Sequence, residues 1–366
     1  MKIEIIKEKF LEAVSQSERV AGKHVSLPIL SYVIIEAKGS SVVVKATNLD
    51  VGIEVSVQAK ISEEGAVAVS GSLMKSFLSN SVQSKTITIE NIGSVCTVVS
   101  GQSEASFNTM SVEDFPVIPR VTDGKSFNIG SKELITGLKS VVWSSAVSTI
   151  KPELSSVYIY EDNEDLVFVA TDSFRLAERR VKVKKVTGFD PILIPFKNAL
   201  EIVRTFENMS GDLEIVISKN QLSITTGDIH LSSRVVDGNF PDYRQIIPKE
   251  FSTKATILKS DLVSALKLSS IFSNSFNQLT VSFNPGTKTL DLSTKNNDVG
   301  EGKQSIKGTV EGEELTMSFN HRYILDCLSV IESDSVILKI AGQGRPMIIN
   351  PSNNTLFTYL VMSMNR

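Results

Sequence analysis

Asp172 and Arg175 lie three residues apart in the stretch ATDSFRLAERR (170–180), between the alternating apolar runs DLVFVA and VKVKKV. A hydrolase could use such a pair at the end of a strand, with the carboxylate as general base. A lone Asp in this position is also typical of a turn, because its side chain accepts hydrogen bonds from nearby backbone amides. The pair therefore leaves catalysis and a structural loop as two hypotheses.

The sequence motifs of other reactions are absent from the chain. The nearest match to a phosphate-binding loop is Gly302–Lys303, but Asn297 stands where the first glycine belongs and Gln304 where a hydroxyl belongs. No G-x-S-x-G motif occurs, and the three histidines are scattered without metal-ligand spacing. We therefore predict no enzyme, no catalytic residue, no metal site and no cofactor.

Composition and charge narrow the class of protein. The 366 residues include 38 basic and 41 acidic side chains, so the net charge gives no support for bulk nucleic-acid affinity. Cys96 and Cys327 lie far apart, which argues against a disulfide framework. The start of the chain does not resemble a signal peptide, and no apolar run approaches membrane-spanning length, so we expect a cytoplasmic protein without membrane contact.

Sequence landmarks recur along the chain at intervals of about 125 residues, which indicates an internal repeat. The landmarks are helix positions Leu11, Ile135 and Val263, strand-ending threonines Thr47, Thr171 and Thr294, and the Phe-Pro pairs at Phe115 and Phe240. Each repeat is predicted to contain a strand, a helix and three strands, followed by the same order of elements a second time. Ser131 and Ser260 are predicted helix N-caps.

This pattern predicts an α+β protein of three similar domains, at 1–122, 123–249 and 250–366. Unrelated domains of equal size are the alternative, but three landmarks with one period favour a true repeat. The predicted boundaries fall in the polar, turn-forming segments RVTDGK and PKEFSTK.

Four motifs in order, ATDSFRLAERR, DGNFPDYRQIIP, SFNHRYILDCL and TYLVMSMNR, together with SLPIL near the start, resemble the bacterial DNA polymerase III beta subunit family. These are the replicative sliding clamps. The resemblance implies the DNA clamp fold, in which helices line a ring and sheets form its outside. It also implies a homodimer closed head to tail around duplex DNA, irrespective of base sequence. Such a processivity factor serves DNA replication by tethering the polymerase, the clamp loader and repair proteins.

The resemblance further implies a hydrophobic pocket that binds short peptide motifs of these partners. Leucine, isoleucine and methionine side chains would form an adaptable apolar trough, while Arg175 and Asn320 would orient the peptide. The implied pocket residues are Leu154, Thr171, Ser173, Phe174, Arg175, Leu176, Pro241, Gln245, Ile246, Phe276, Asn320, Tyr323, Arg345, Pro346, Met362, Ser363 and Met364. For Met362 and Met364, a packed terminal strand is the alternative interpretation.

This chain departs from the family pattern within that set. The family usually has Gly-His at Ser173–Phe174, a basic residue at Gln245 and proline at Ser363, and its usual ending differs from Asn365–Arg366. We expect the pocket to persist with an altered peptide preference.

By the same resemblance, DNA would be contacted by Lys23, His24, Lys75, Lys197 and Arg204, and the subunits would meet through Phe107, Ile271 and Phe272. Each basic residue could instead be an ordinary solvated helix residue, and the apolar pair at 271–272 could be a buried helix end. The alternative function is an interaction scaffold of the same fold that does not encircle DNA.

Overall fold

The structure is a computed structural model that describes residues 1–22, 26–81, 84–121, 123–183 and 188–364. The described residues contain six α-helices and a larger number of strands. The elements in the first third of the chain are β1 (Lys2–Ile6), α1 (Lys7–Val20), β2 (Val33–Lys38), β3 (Ser41–Thr47), β4 (Val51–Glu63), β5 (Gly65–Val69), α2 (Gly71–Asn80), β6 (Thr86–Ile92), β7 (Val95–Ser100) and β8 (Ser103–Asn108).

The middle third contains β9 (Lys125–Gly130), α3 (Ser131–Val141), β10 (Ser156–Asp162), β11 (Asp165–Thr171), β12 (Arg175–Lys182), β13 (Ile192–Pro195), α4 (Phe196–Phe206), β14 (Asp212–Ile217), β15 (Gln221–Thr226) and β16 (Ile229–Arg234). The last third contains β17 (Thr253–Leu258), α5 (Lys259–Ser270), β18 (Gln278–Asn284), β19 (Thr289–Asn296), β20 (Gly300–Lys307), β21 (Thr309–Gly312), β22 (Leu315–Asn320), α6 (His321–Val330), β23 (Ser335–Ile340), β24 (Met347–Pro351) and β25 (Phe357–Val361).

The chain packs into two compact units. The first unit comprises Met1–Lys132, Lys185–Phe189 and Glu201–Val235, and the second comprises Glu133–Lys184, Asp190–Leu200 and Val236–Arg366. The first unit is built on a twelve-stranded sheet in which β4 pairs with β1, β3 and β16. Alternating residues of β1 and one face of α1 supply its core, including the fully buried Phe10 and Val14.

The second unit contains a nine-stranded sheet and a four-stranded sheet. In the larger sheet β12 pairs antiparallel with β25, which brings Arg175 opposite Val361. The smaller sheet has the order β20, β19, β18, β22. The α+β class and the recurrence of a strand that leads straight into a helix are thus confirmed, whereas the boundaries after residues 122 and 249 stay predictions.

The first residue of one helix in each predicted domain binds a carbonyl near the end of the next helix. Lys7 Nζ donates to the Ser81 carbonyl at 3.1 Å, and Lys259 Nζ donates to the Ile331 carbonyl at 2.6 Å. In the middle repeat Ser131 Oγ donates to the Met209 carbonyl at 2.8 Å. Ser81 and Ile331 are the C-cap residues of α2 and α6, whose carbonyls lack intrahelical partners, whereas Met209 lies three residues past the end of α4.

The predicted N-caps at Ser131 and Ser260 were wrong. Helix α3 begins at Ser131 itself, and Ser260 is the second residue of α5, whose N-cap is Leu258. Leu258 has the extended backbone of the strand before it (φ −64°, ψ 129°), because β17 runs into α5 without a loop in which a serine could cap the helix.

No helix among the described residues has the length and apolar character needed to cross a membrane.

Candidate peptide-binding site

The loop between β11 and β12 is a tight turn organised by the Asp172 side chain. Asp172 Oδ1 accepts the backbone N–H groups of Phe174 at 2.9 Å and Arg175 at 3.0 Å. Its Oδ2 accepts Arg175 Nε at 3.0 Å, and Ser173 takes a positive φ of 78°. Both carboxylate oxygens are therefore engaged in holding the loop, as the structural hypothesis predicts.

The same turn occurs in the first unit between β3 and β4. Thr47 Oγ1 donates to the Val51 carbonyl at 2.8 Å, as Thr171 Oγ1 donates to the Arg175 carbonyl at 2.6 Å. Asn48 takes the place of Asp172, and Leu49 has the positive φ of 76°. The turn is therefore part of the repeated fold. The two copies of the turn differ in the residues that they carry.

The third threonine landmark does not form this turn. Thr294 lies inside β19, which continues to Asn296, and its hydroxyl donates to the Ser269 carbonyl at 2.8 Å. The prediction that Thr294 ends its strand was wrong, because β19 continues for two more residues.

Arg175 links the turn to α6 and leaves little charge free for a ligand. Its guanidinium lies 4.4 Å from the centre of the Tyr323 ring, and Nη1 donates to Asp326 Oδ2 at 2.5 Å. Burial alone would lower the pKa of this side chain, but the neighbouring Tyr359 and the carboxylates of Asp326 and Asp172 raise it above its usual value. Arg175 therefore acts as a structural link between turn and helix.

A second link joins the turn to the end of β25. The Met362 N–H donates to the Phe174 carbonyl at 2.8 Å, and the Met364 N–H donates to the Ser318 carbonyl at 2.8 Å. Ser363 and Met364 are half-buried, while Met362 remains 38% exposed. The tail is thus tied down at two points, and Asn365–Arg366 lie outside the described residues.

The predicted pocket residues divide into an exposed set and a supporting set. Phe174 is 62% exposed, Phe276 70% and Ile246 47%, so these apolar side chains are available to a partner. The buried members are Leu154, Thr171, Leu176 and Pro346. Leu176 belongs to the core cluster that also holds Tyr243.

The segment with Pro241, Gln245 and Ile246 is fixed by a buried polar network around Tyr243. The Tyr243 hydroxyl donates to the Glu178 carboxylate and lies 2.7 Å from the Tyr160 hydroxyl. Burial, followed by the hydrogen bonds to Glu178 and Tyr160, raises the pKa of Tyr243. The network attaches the short helical turn Tyr243–Ile246 to strands β10 and β12.

Arg244 extends this network on its exposed side. Its Nη2 donates to the Tyr160 hydroxyl at 2.7 Å and to Asp162 Oδ2 at 3.1 Å. Gln245, where the family usually has a basic residue, donates through Nε2 to Asp242 Oδ2 at 2.6 Å and remains exposed. The amide therefore lies next to a carboxylate.

Asn320 ends β22 directly before α6, and Phe276 lies on the neighbouring loop between α5 and β18. Asn320 Oδ1 accepts the Arg322 N–H at 3.0 Å and so caps α6. The Asn277 carbonyl accepts the His321 N–H at 3.0 Å, which places the loop that carries Phe276 beside the start of α6. Arg345 is exposed in the turn before β24, and its N–H donates to the Gly342 carbonyl at 3.2 Å.

The predicted DNA-binding residues on helices are exposed or paired with carboxylates. Lys75 Nζ lies 3.3 Å from Glu18 Oε2, and Arg204 Nη1 lies 3.6 Å from Glu201 Oε2. Lys197 is exposed near the start of α4. Lys23 and His24 lie outside the described residues.

The predicted subunit-contact residues differ in exposure. Ile271 is 64% exposed, and the Phe272 ring packs against the backbone of β20 at Gly302. Phe107 is only 8% exposed and makes an edge-to-face contact with Phe77 at 6.0 Å. Most of the Phe107 ring therefore already packs inside its own unit.

Sequence reasoning missed three side chains that hold this site together: Tyr243, Glu178 and Asp326. Asp326 lies three residues after Tyr323 in a helix, a spacing that places both on one face and could have indicated it. No local spacing indicates the pairing of Tyr243 with Glu178. Among the residues that the structure describes, no group of three His, Cys, Asp or Glu side chains could hold a metal ion.

Family models of the DNA polymerase III beta subunit match nearly the whole chain. The N-terminal domain model matches residues 1–119, the central domain model 128–242 and the C-terminal domain model 244–365. The beta sliding clamps of Staphylococcus epidermidis and Staphylococcus aureus strain N315 are each 24% identical, over 99% of this chain and 98% of their own length.

Solved structures agree with this fold. The DNA polymerase III beta subunit of Thermotoga maritima matches with a TM-score of 0.94 at 24% identity, over 100% of this chain and 99% of its own. The DNA polymerase sliding clamp of Bacillus subtilis matches with a TM-score of 0.92 at 23% identity, over the same shares. With three domain models matched in order along its length, this chain belongs to the DNA polymerase III beta subunit family.

Proposed function

We propose that this chain is a DNA sliding clamp without catalytic activity. Two copies close head to tail into a ring around duplex DNA, and each copy holds partner proteins through a short peptide bound at the candidate site. Relatives that match 99% of this chain carry the name beta sliding clamp, and this name supports the proposal.

The observation that carries the proposal is the rigid turn at 171–175 beside two exposed apolar side chains. The turn is fixed to α6 through Arg175 and to the chain after β25 through the Phe174 carbonyl. Phe174 and Met362 nevertheless remain accessible. Pre-organised apolar contacts of this kind suit peptide anchors, each of which contributes about 1.5–3 kcal/mol when fully buried. Two such anchors supply about 3–6 kcal/mol before the cost of ordering the peptide, which by itself corresponds to weak, exchangeable binding with a Kd above about 10 μM.

Open sheet edges support the head-to-tail contact. Among described strands β8 pairs only with β7, and β20 pairs only with β19, so each offers a free edge. Ile271 lies exposed at the end of α5, whose C-terminal side adjoins β20. Phe107 lies on β8 at this edge, with only 8% of its surface exposed. An edge strand readily pairs with another chain, and contacts between unlike edges close into a ring when the rotation fits.

DNA contact by Lys75, Lys197 and Arg204 would be weak and directed at phosphates. Glu18 and Glu201 partly neutralise Lys75 and Arg204, so few net charges are available. Such a contact loses affinity steeply as salt rises. Encirclement, which does not depend on these contacts, would then hold the protein on DNA.

Light scattering over a range of concentrations tests the assembly. A stable species of twice 40.0 kDa is expected, whereas a strict monomer at micromolar concentration contradicts an autonomous ring. The protein loaded with its clamp loader and ATP should remain on a nicked circular plasmid at high salt and leave when that plasmid is linearised. A dimer that binds partner peptides but is not retained on the circle would instead identify the non-encircling scaffold.

A further inference from the structure

Two lysines lie directly opposite each other on neighbouring strands of the nine-stranded sheet in the second unit. Lys254 on β17 pairs with Lys339 on β23 in an antiparallel register. Residues paired in this way project from the same face of a sheet, and two like charges in such a pair repel each other and destabilise the sheet. The pair therefore does not stabilise the fold.

The surroundings of this pair supply no counter-ion. Within the described part of the chain, neither Lys254 nor Lys339 forms an ion pair. Glu311 on β21 lies opposite Lys254 on the side away from Lys339 and is not paired with it. On the other side of Lys339, the opposite residue on β24 is the buried Ile348. The charge of the exposed Lys254 is therefore available to an anion from solution.

Lys339 is the more enclosed member of the pair. Its side chain is half-buried, and its Nζ lies 5.5 Å from the centre of the Phe251 ring. Burial, followed by the positive charge of Lys254, lowers the pKa of Lys339. At neutral pH a larger fraction of Lys339 is therefore the neutral amine, the nucleophilic form of lysine, than in an ordinary exposed lysine.

The two side chains together match a reagent that carries an anionic group next to a reactive carbonyl. An acyl phosphate has this chemistry, because its carbonyl carbon is joined through one oxygen to the phosphate. The Lys254 ammonium can pair with the phosphate oxygens, as lysine commonly does. The carbonyl carbon then lies beside the amine of the neighbouring Lys339.

We propose that Lys339 is a site of chemical acylation by acyl phosphates, with Lys254 holding the phosphate group during the reaction. The neutral amine of Lys339 attacks the carbonyl carbon, an N–C bond forms, and the C–O bond to phosphate breaks. The amine proton leaves with the phosphate, which departs as hydrogen phosphate. The product is an uncharged amide, so the reaction also ends the repulsion between the two side chains. This inference does not depend on the proposed function.

Acetyl phosphate tests this proposal on the purified full chain at pH 7.5. Mass spectrometry, after digestion with a protease that does not cleave at lysine, gives the initial rate of acetylation at each lysine. Lys267, which is exposed on α5, serves as the internal control. Lys339 should react about tenfold faster than Lys267, because its larger amine fraction and the held phosphate act together. The ratio should fall at about 1 M salt, since both effects are electrostatic.

Two variants of Lys254 isolate its role. K254R keeps a cation that can bind phosphate, so the rate at Lys339 should stay near that of the parent protein. K254M removes the charge and keeps the apolar stem, so the rate should fall about fivefold, the size of one exposed charge contact. With the uncharged N-hydroxysuccinimide ester of acetic acid, the fall in K254M should be only about twofold. Urea unfolding of each variant verifies that the fold is retained.

Three results would overturn the proposal. If Lys339 reacts no faster than Lys267, it is not a preferred site of acylation. If K254M and K254R react at the same rate, the charge of Lys254 takes no part. If K254M loses as much rate with the uncharged ester as with acetyl phosphate, Lys254 does not hold the phosphate group.

Discussion

At the scale of single residues, Phe174 distinguishes two turns that are otherwise built alike. The turn in the first unit has Asp50 at the corresponding position, and both turns use a threonine hydroxyl and an Asn or Asp side chain. The fold therefore builds the same turn twice. The residue at one position decides whether the turn presents a candidate binding residue, Phe174, or a solvated one, Asp50.

We expect F174A to weaken binding of a peptide with apolar anchors about tenfold, because a large apolar contact is lost. The free energy of unfolding should change by less than about 0.5 kcal/mol, since the ring is largely exposed. D50A is the matched control and should change neither quantity. Anisotropy titration and urea unfolding measure both, and an unchanged Kd in F174A would remove this residue from the site.

Asp172 should matter for stability. D172A leaves two backbone N–H groups and Arg175 Nε without their acceptor, which should lower the free energy of unfolding by about 1–3 kcal/mol. N48A, the matched change in the first unit, should destabilise by a similar mechanism and leave peptide affinity intact. A D172A protein of unchanged stability would argue that the carboxylate is held for another purpose.

At the scale of elements, the polar network of Tyr243 determines where the turn with Gln245 and Ile246 lies. Removing the Tyr243 hydroxyl takes one donor from the half-buried Glu178 carboxylate, which keeps its hydrogen bond from Arg180 Nε. We expect Y243F to cost about 1–2 kcal/mol of unfolding free energy and to weaken peptide binding severalfold. Y158F is the control, because the Tyr158 ring keeps its stack on Phe240 without the hydroxyl. Full peptide affinity in Y243F would mean that this turn does not contribute to the pocket.

The contacts between helix ends are also open to test. K259M removes the donor to the Ile331 carbonyl and should lower the free energy of unfolding by about 1–2 kcal/mol. K267M alters an exposed lysine of the same helix and should stay within about 0.5 kcal/mol of the parent protein. Equal effects of the two changes in urea unfolding would show that the carbonyl is adequately satisfied by water.

The order of strands and helices was predictable from sequence, because alternating and helical periods are local properties. The repeat frame was predictable for the same reason. The helix starts were misplaced at Ser131 and Ser260, since a strand that continues into a helix carries no capping signal. The contacts of Lys7 and Lys259 join residues more than 70 positions apart, and no local pattern encodes them.

The pocket residues were predicted from family resemblance and not from local sequence patterns. Resemblance gave no indication that Arg175 is neutralised by Asp172 and Asp326, because Asp326 comes from an element 151 residues away.

At the scale of the whole molecule, acid should destabilise both units through one buried histidine in each. Burial is the main cause that lowers the pKa of His230 in the first unit and of His321 in the second. A histidine with a lowered native pKa contributes full stability above its unfolded pKa of about 6.5, and this contribution is lost as pH falls towards the native pKa. Urea midpoints should therefore fall between about pH 7.5 and 5.5, and an H230Q/H321Q protein should show a shallower fall. An equal fall in the double variant would assign the effect to other groups.

The donors at helix ends have a consequence for how such a protein diverges over time. Lysine performs this task in the outer repeats and serine in the middle one, so what recurs among the three repeats is a hydrogen bond to a carbonyl at or just past the end of the second helix, independent of the amino acid that makes it. A lineage can therefore exchange the side chain whenever another donor of suitable reach replaces it. Identity between the copies, and between distant relatives, can then fall very low while natural selection preserves the architecture.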